Sequence, residues 1–162
     1  MQPKGTGKAF RIIIFTLTAL MICYAFYHSA MPAYASAEES EGVLSFVTDF
    51  FNNFGISVEL TDHIIRKTAH FIEYFIIGGL LLSCAYSFDR FKTYRFMVQV
   101  LFFGLLTAVI DETIQLFSDG RSGQISDVWL DFSGVITGAG IMLLFYFIYT
   151  RTKKKDKKKK AN

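Results

Sequence analysis

Cysteine is scarce in this sequence. Cys23 and Cys84 are the only two, each inside an apolar run, so no disulfide framework is implied. The signatures of common enzyme chemistry are missing as well: there is no G-x-S-x-G turn, no phosphate-binding glycine loop, no H-E-x-x-H and no reactive-cysteine setting. No inverted repeat is visible, which argues against a transporter. Basic charge is lacking from the body of the chain. The segment Arg151–Lys160 holds eight basic residues and one acid, so it contributes +7 to a total of +3 and leaves −4 for the remainder. The positive balance therefore belongs to a tail and gives no reason to expect nucleic-acid binding.

What is present is apolar. The 162 residues suit one domain, and 52% apolar with 17% aromatic content points to a membrane rather than to cytosol. Four long apolar runs stand out, at Ile12–Tyr27, Ala69–Tyr86, Phe96–Phe117 and Ile125–Tyr149. They predict an all-α membrane protein, a bundle of four transmembrane helices. The first run has a competing reading as a signal peptide, because A-Y-A-S-A-E at Ala33–Glu38 has the small residues of a cleavage site. Between the first and second runs, Val43, Phe46, Val47, Phe50, Phe51 and Phe54 recur at helical spacing. They predict a short amphipathic extracellular helix, lying on the membrane or packed as a surface helix over the bundle.

Loop charge orients the set. Lys4, Lys8 and Arg11, the Asp89–Arg95 loop and the lysine tail carry the basic residues, whereas Ser29–Arg66 is acid-rich. Lys/Arg bias marks the cytoplasmic side, so both termini are expected there. Residues 1–11 then form a cytoplasmic N-terminus, 12–150 a four-span domain and 151–162 a basic cytoplasmic tail that also touches anionic lipid.

The stretch Ala108–Gly134 departs from what a plain anchor would carry. It sets Asp111, Glu112, Gln115, Arg121, Asp127 and Asp131 within or beside two spans, where one Asp at mid-helix costs about 2.5–3.5 kcal/mol. At 1.5 Å per residue, Glu73, Asp111 and Asp131 all fall roughly 9–10 Å inside the same face of the membrane. Faces agree too: Lys67, His70 and Tyr74 follow i, i+3, i+7, and Asp127, Asp131, Gly134 and Gly138 follow i, i+4, i+7, i+11. The glycines let helices approach closely below the acids, which predicts a cavity open to the outside and floored by tight helix contact.

Each part also has an ordinary explanation. Glu73 can simply pair with Arg66 or Lys67, Arg121 can sit among headgroups, and Asp127 can cap the fourth helix. Together the acids lie too deep for that. Crowded carboxylates do not all ionise cheaply, so one can act as general acid while its neighbour acts as base. Equally, His70, Glu73, Asp111 and Asp127 suit a divalent cation, Mg²⁺ or Ca²⁺ by their carboxylates and Zn²⁺ by the imidazole.

These residues carry a resemblance. R-K-T-A-H-F-I-E-Y (Arg66–Tyr74), I-D-E-T-I-Q-L-F-S-D-G-R (Ile110–Arg121) and I-S-D-V-W-L-D-F-S-G (Ile125–Gly134), with Gly78 and Gly138, resemble in order and spacing the VanZ-like family of small bacterial membrane proteins. The match is strongest over 66–138. A looser one, F-Y-H-S-A-M-P (Phe26–Pro32), is similar to the serine-containing segment after the family's first helix and favours a retained first span. By position the resemblance marks Lys67, His70, Glu73, Tyr74, Asp111, Glu112, Gln115, Arg121, Asp127, Asp131 and Gly134. Asp131 stands where Asn is common in the family.

The family is named for a protein associated with resistance to teicoplanin, a glycopeptide that acts on lipid-linked wall precursors. The resemblance thus implies a protein of the bacterial cell membrane whose partners are a lipid headgroup, a lipid-linked envelope precursor or the glycopeptide itself. In that reading His70, Glu73, Asp111, Glu112 and Asp127 are the candidate catalytic groups, with Asp111 and Glu112 as an acid/base pair and His70 as a proton carrier. Lys67, Tyr74, Gln115, Arg121 and Asp131 are the binding candidates, with Arg121 and Lys67 holding an anionic group. The rival reading is a non-catalytic module whose buried charges neutralise one another and fix the bundle.

Overall fold

The four apolar runs become four long helices in the computed structural model, which describes residues 5–54 and 61–159. Residues 1–4, 55–60 and 160–162, which include Lys4, Glu59 and Lys160, lie outside it. The elements in order are α1 (Lys8–Ser29), α2 (Ala33–Asn53), α3 (Asp62–Phe88), a 3₁₀ turn (Thr93–Phe96), α4 (Met97–Gln115) and α5 (Ile125–Lys159). No strand occurs among the described residues. α1, α3, the segment Thr93–Gln115 and Ile125–Lys153 are each long and apolar enough to cross a membrane.

α3 is the axis. Most of its membrane-length window is buried, whereas α1 and α5 bury little of theirs. The central core takes a residue from every span: Ala25 of α1, Tyr74 and Ile77 of α3, Ala108 of α4 and Val135 of α5. A second core towards the other end joins Leu82, Ala85, Val100 and Ala139. Beside it the Tyr86 and Tyr146 rings stack at 3.7 Å, and Tyr146 donates to the Ser83 hydroxyl at 3.0 Å.

The α3–α5 seam is the closest in the bundle, and glycine makes it so. A Cβ on Gly134 would stand 2.7 Å from the Phe71 carbonyl oxygen, and one on Gly138 would meet the Phe75 carbonyl oxygen. From the α3 side, a Cβ on Gly78 would collide with the Val135 backbone. The glycine stripe expected to draw the spans together does so, backbone against backbone.

The connections fix which ends meet. Thr61 caps α3 by accepting from the Ile64 amide, and the Asp89 carboxylate accepts from the Phe91 and Lys92 amides to turn the α3–α4 link. The Thr6 amide donates to the Ser87 carbonyl at 2.9 Å, as does the Arg11 guanidinium at 3.0 Å, so the N-terminus sits beside that link. At the opposite end the Ala33 amide donates to the Asp119 carbonyl at 2.9 Å, tying the start of α2 to the α4–α5 link.

α2 differs from the short helix expected at Val43–Phe54. It runs 21 residues and buries Ser36 and Ser40. Val47 and Phe51 are half-buried, but Val43, Phe46, Phe50 and Phe54 remain exposed. Its apolar stripe is therefore not packed on the bundle as a surface helix would require. The small serines allow close approach, and the phenylalanines point away.

Candidate functional site

The site assembles where the acid-bearing ends of α3, α4 and α5 come together with the end of α1. On α3, the i, i+3, i+7 spacing turns Lys67, His70 and Tyr74 inward. On α4, Asp111, Glu112 and Gln115 are all buried within one turn. α5 brings Asp127 and Asp131. Between α4 and α5 the link reverses direction through Gly120, whose φ of 74° is the left-handed conformation that glycine adopts without strain.

Polar contacts cross between helices here. Lys67 Nζ lies 3.0 Å from Asp127 Oδ1, joining α3 to α5. His70 Nδ1 lies 3.8 Å from Asp131 Oδ1 and 4.0 Å from Asp111 Oδ2, joining α3 to both neighbours. Ser29 Oγ donates to Asp111 Oδ2 at 2.6 Å, bringing in α1. Ser118 then donates to the Ser29 carbonyl at 2.9 Å, so the end of α1 is held from two sides.

A cavity of about 270 Å³ opens beside this cluster. Its wall carries Arg66, Lys67 and Arg121, with His63 and His70, against the single carboxylate of Asp127. Two of the three cations are occupied, Arg66 by Asp62 at 2.9 Å and Lys67 by Asp127. Arg121 is not: its Nε and Nη2 are buried and donate to no partner among the described residues. Burial pushes the Arg121 guanidinium below its ordinary range, and the neighbouring Arg66 adds to this, while Asp111 and Glu112 oppose it. An arginine stays charged regardless, so a half-buried cation without an ion-pair partner among the described residues lines the cavity.

Several expected roles change. Glu73 does not pair with Arg66 or Lys67; its Oε1 lies 3.5 Å from His28 Nδ1, and the other ring nitrogen of His28 is 3.2 Å from Glu39. Glu112 does not face the cavity. Its Oε1 accepts from the Gln124 amide, which clamps the start of α5 to α4. Asp111 is thus engaged by Ser29 and Glu112 by the link. Asp127 reaches across to α3 instead of serving only as a cap. Tyr74 is fully buried and donates to the Thr107 carbonyl at 3.3 Å, which makes it a core residue rather than a lining one. Gln115, one of the binding candidates, lies on the cavity wall. Of the cation set anticipated with His70, Asp111 stands beside it, and Asp131 joins the group where Glu73 and Asp127 were expected.

His28 and Ser29 carry contacts that spacing did not reveal. Both sit at the end of a helix, where polar residues are ordinary. The only signal was the F-Y-H-S-A-M-P segment, whose serine belongs to the looser family likeness.

With this geometry in place, comparison with known families is informative. Residues 14–146 match the VanZ/LLP1 family model. The chain belongs to the VanZ/LLP1 family. No curated protein and no solved structure gives a significant match. The VanZ/LLP1 match takes in α1 from Ile14 onward, including His28 and Ser29, and continues through α3 and α4 into α5 as far as Tyr146. The cluster built on Asp111, Asp131 and His70 thus lies wholly inside the family's domain, whereas the lysine tail lies beyond it.

Proposed function

We propose that this VanZ/LLP1 protein binds the phosphate-bearing headgroup of a lipid or lipid-linked envelope precursor at the outer leaflet of the bacterial cell membrane. One observation carries the reading: the half-buried Arg121, whose Nε and Nη2 have no hydrogen-bond partner among the described residues, lines a cavity whose other cations are Arg66 and Lys67. A guanidinium fork suits phosphate bidentately, and an ammonium beside it adds a point charge. Size favours the smaller ligand: at about 270 Å³ the cavity lies just below the range for drug-sized ligands, which suits a headgroup better than a whole glycopeptide. An effect on teicoplanin, if this copy shares it with the family's namesake, then runs through the lipid target.

Orientation supports the same placement. Lys8 and Arg11 lie beside Ser87, next to Arg90, Lys92 and Arg95, and the basic end of α5 lies beyond the Tyr86–Tyr146 stack. The basic segments share one end of the bundle, which the positive-inside rule assigns to the cytoplasm. The cavity then faces outward, and α2 lays its exposed Phe46, Phe50 and Phe54 into the outer interface.

The test uses purified protein in zwitterionic detergent, with short-chain phosphatidic acid against phosphatidylcholine as probes. Arg121→Gln removes one charge-assisted contact, so phosphatidic acid binding should weaken about tenfold or more with membrane levels unchanged. Equal binding by wild type and Arg121→Gln sinks the reading. The Lys67–Asp127 and Ser29–Asp111 pairs favour a second reading, a self-neutralising network that only stabilises the bundle. In that case Arg121→Gln and Asp127→Asn lower protein levels and function together.

A further inference from the structure

Asp131 lacks the partner that its burial demands. It is 1% exposed, and neither carboxylate oxygen has a hydrogen-bond partner among the described residues. An unpaired carboxylate inside a membrane-spanning helix is among the costliest groups a bundle can hold. The nearby lysine and arginine do not relieve it. Lys67 is engaged by Asp127 and Arg66 by Asp62, and the ion-pair contacts of Asp111 and Asp131 are with His70 alone.

The geometry points to a divalent transition-metal cation held by His70 Nδ1 and the carboxylates of Asp111 and Asp131. One ligand atom from each of the three lies within 4.8 Å of the other two, and each residue comes from a different span. Atoms bound about 2.1 Å from one cation stand about 3–4 Å apart, so the three groups need to draw in by about an ångström or less. Charge balances: a neutral imidazole, two carboxylates and a dication sum to zero, which is what a low-dielectric interior requires. The imidazole favours Zn²⁺ over Mg²⁺ and Ca²⁺, which prefer all-oxygen shells, and the two carboxylates also suit Mn²⁺.

The surroundings fit a ligand set. Ser29 donates to Asp111 Oδ2, and an outer-shell donor of this kind fixes the orientation of a ligating carboxylate. His70 also lines the cavity, so the fourth and later positions of the ion are reached from that side by water or by an oxygen of a bound ligand. The assignment does not rest on the headgroup reading, which turns on Arg121 and not on these three residues.

The full chain, purified in detergent and stripped with chelator, is titrated calorimetrically with Zn²⁺, Mn²⁺ and Mg²⁺, and its metal content before stripping is measured by mass spectrometry. Wild type should bind one equivalent of Zn²⁺ or Mn²⁺ at micromolar concentration and Mg²⁺ far more weakly. His70→Ala and Asp131→Asn should each lose that equivalent, whereas Glu39→Gln, which removes a carboxylate outside the cluster, should keep it. Circular dichroism checks that the variants remain folded; if they do not, the wild-type titration decides alone. No bound equivalent in folded wild type, or an equivalent that survives Asp131→Asn, overturns the assignment.

Discussion

Ser29 and Asp111, 82 positions apart, are joined by a 2.6 Å hydrogen bond between two buried side chains. It makes the last residue of α1 part of a site whose other members come from α3, α4 and α5. Removing the hydroxyl would leave a buried carboxylate oxygen without its donor, which costs about 1.5–3 kcal/mol. Ser29→Ala should therefore lower the Tm in detergent by about 3–10 °C, while Ser29→Thr, which keeps a donor, loses less. An unchanged Tm in Ser29→Ala means the contact is not made. Processing at Ala33–Glu38 would detach His28 and Ser29 together, so the mature protein should retain α1, as an intact mass would show.

The seam between α3 and α5 gives a paired expectation. Gly138→Ala places a methyl group against the Phe75 carbonyl, backbone that has no room to yield, and should cost about 1–3 kcal/mol. Gly140→Ala, two residues on, meets nothing within 4 Å and should be neutral or slightly stabilising. Comparing their unfolding in mixed micelles separates close packing from a general intolerance of side chains. Equal losses at both positions count against the seam.

Orientation can be read chemically. In a background with Cys23 and Cys84 replaced by Ala, Ser122→Cys places a thiol in the α4–α5 link and Lys92→Cys places one in the α3–α4 link. Both positions are exposed. A membrane-impermeant maleimide should label Ser122→Cys in intact cells and Lys92→Cys only after permeabilisation. The reverse pattern puts the cavity in the cytoplasm and removes the outer-leaflet ligand with it.

The four spans were legible because apolar runs of that length have few alternatives. Against such a background Asp111, Glu112 and Asp131 were conspicuous, and helical periodicity alone put Lys67, His70 and Tyr74 on one face. Gly134 and Gly138 announced their seam by spacing. Partnership was harder to read. Glu112 finds a backbone amide in the link, which no side-chain pattern encodes. Glu73 turns to His28 rather than to its own helix, because α1 lies against that face of α3. The rotation of α5 against α3, fixed by backbone contact at Phe71 and Phe75, brings Asp131 to His70 and aims Asp127 at Lys67. The phenylalanine stripe of α2 was visible, but the side from which α2 is held depends on Ser36 and Ser40, two small residues that carry no hydrophobic signal.

The division of the site among four spans also orders its birth. Chains enter the membrane from the N-terminus, so α1, α3 and α4 are placed before α5 is made. Until then Asp111 and His70 lack Asp131, Lys67 lacks Asp127, and the glycine face that locks onto Phe71 and Phe75 is still in the ribosome. A nascent chain paused before Gln124 carries Glu73, Asp111 and Glu112 without the α5 residues that close around them. Completion of the last helix is thus the step at which an expensive intermediate becomes a finished pocket, and the insertion machinery must shelter the first three spans up to that moment.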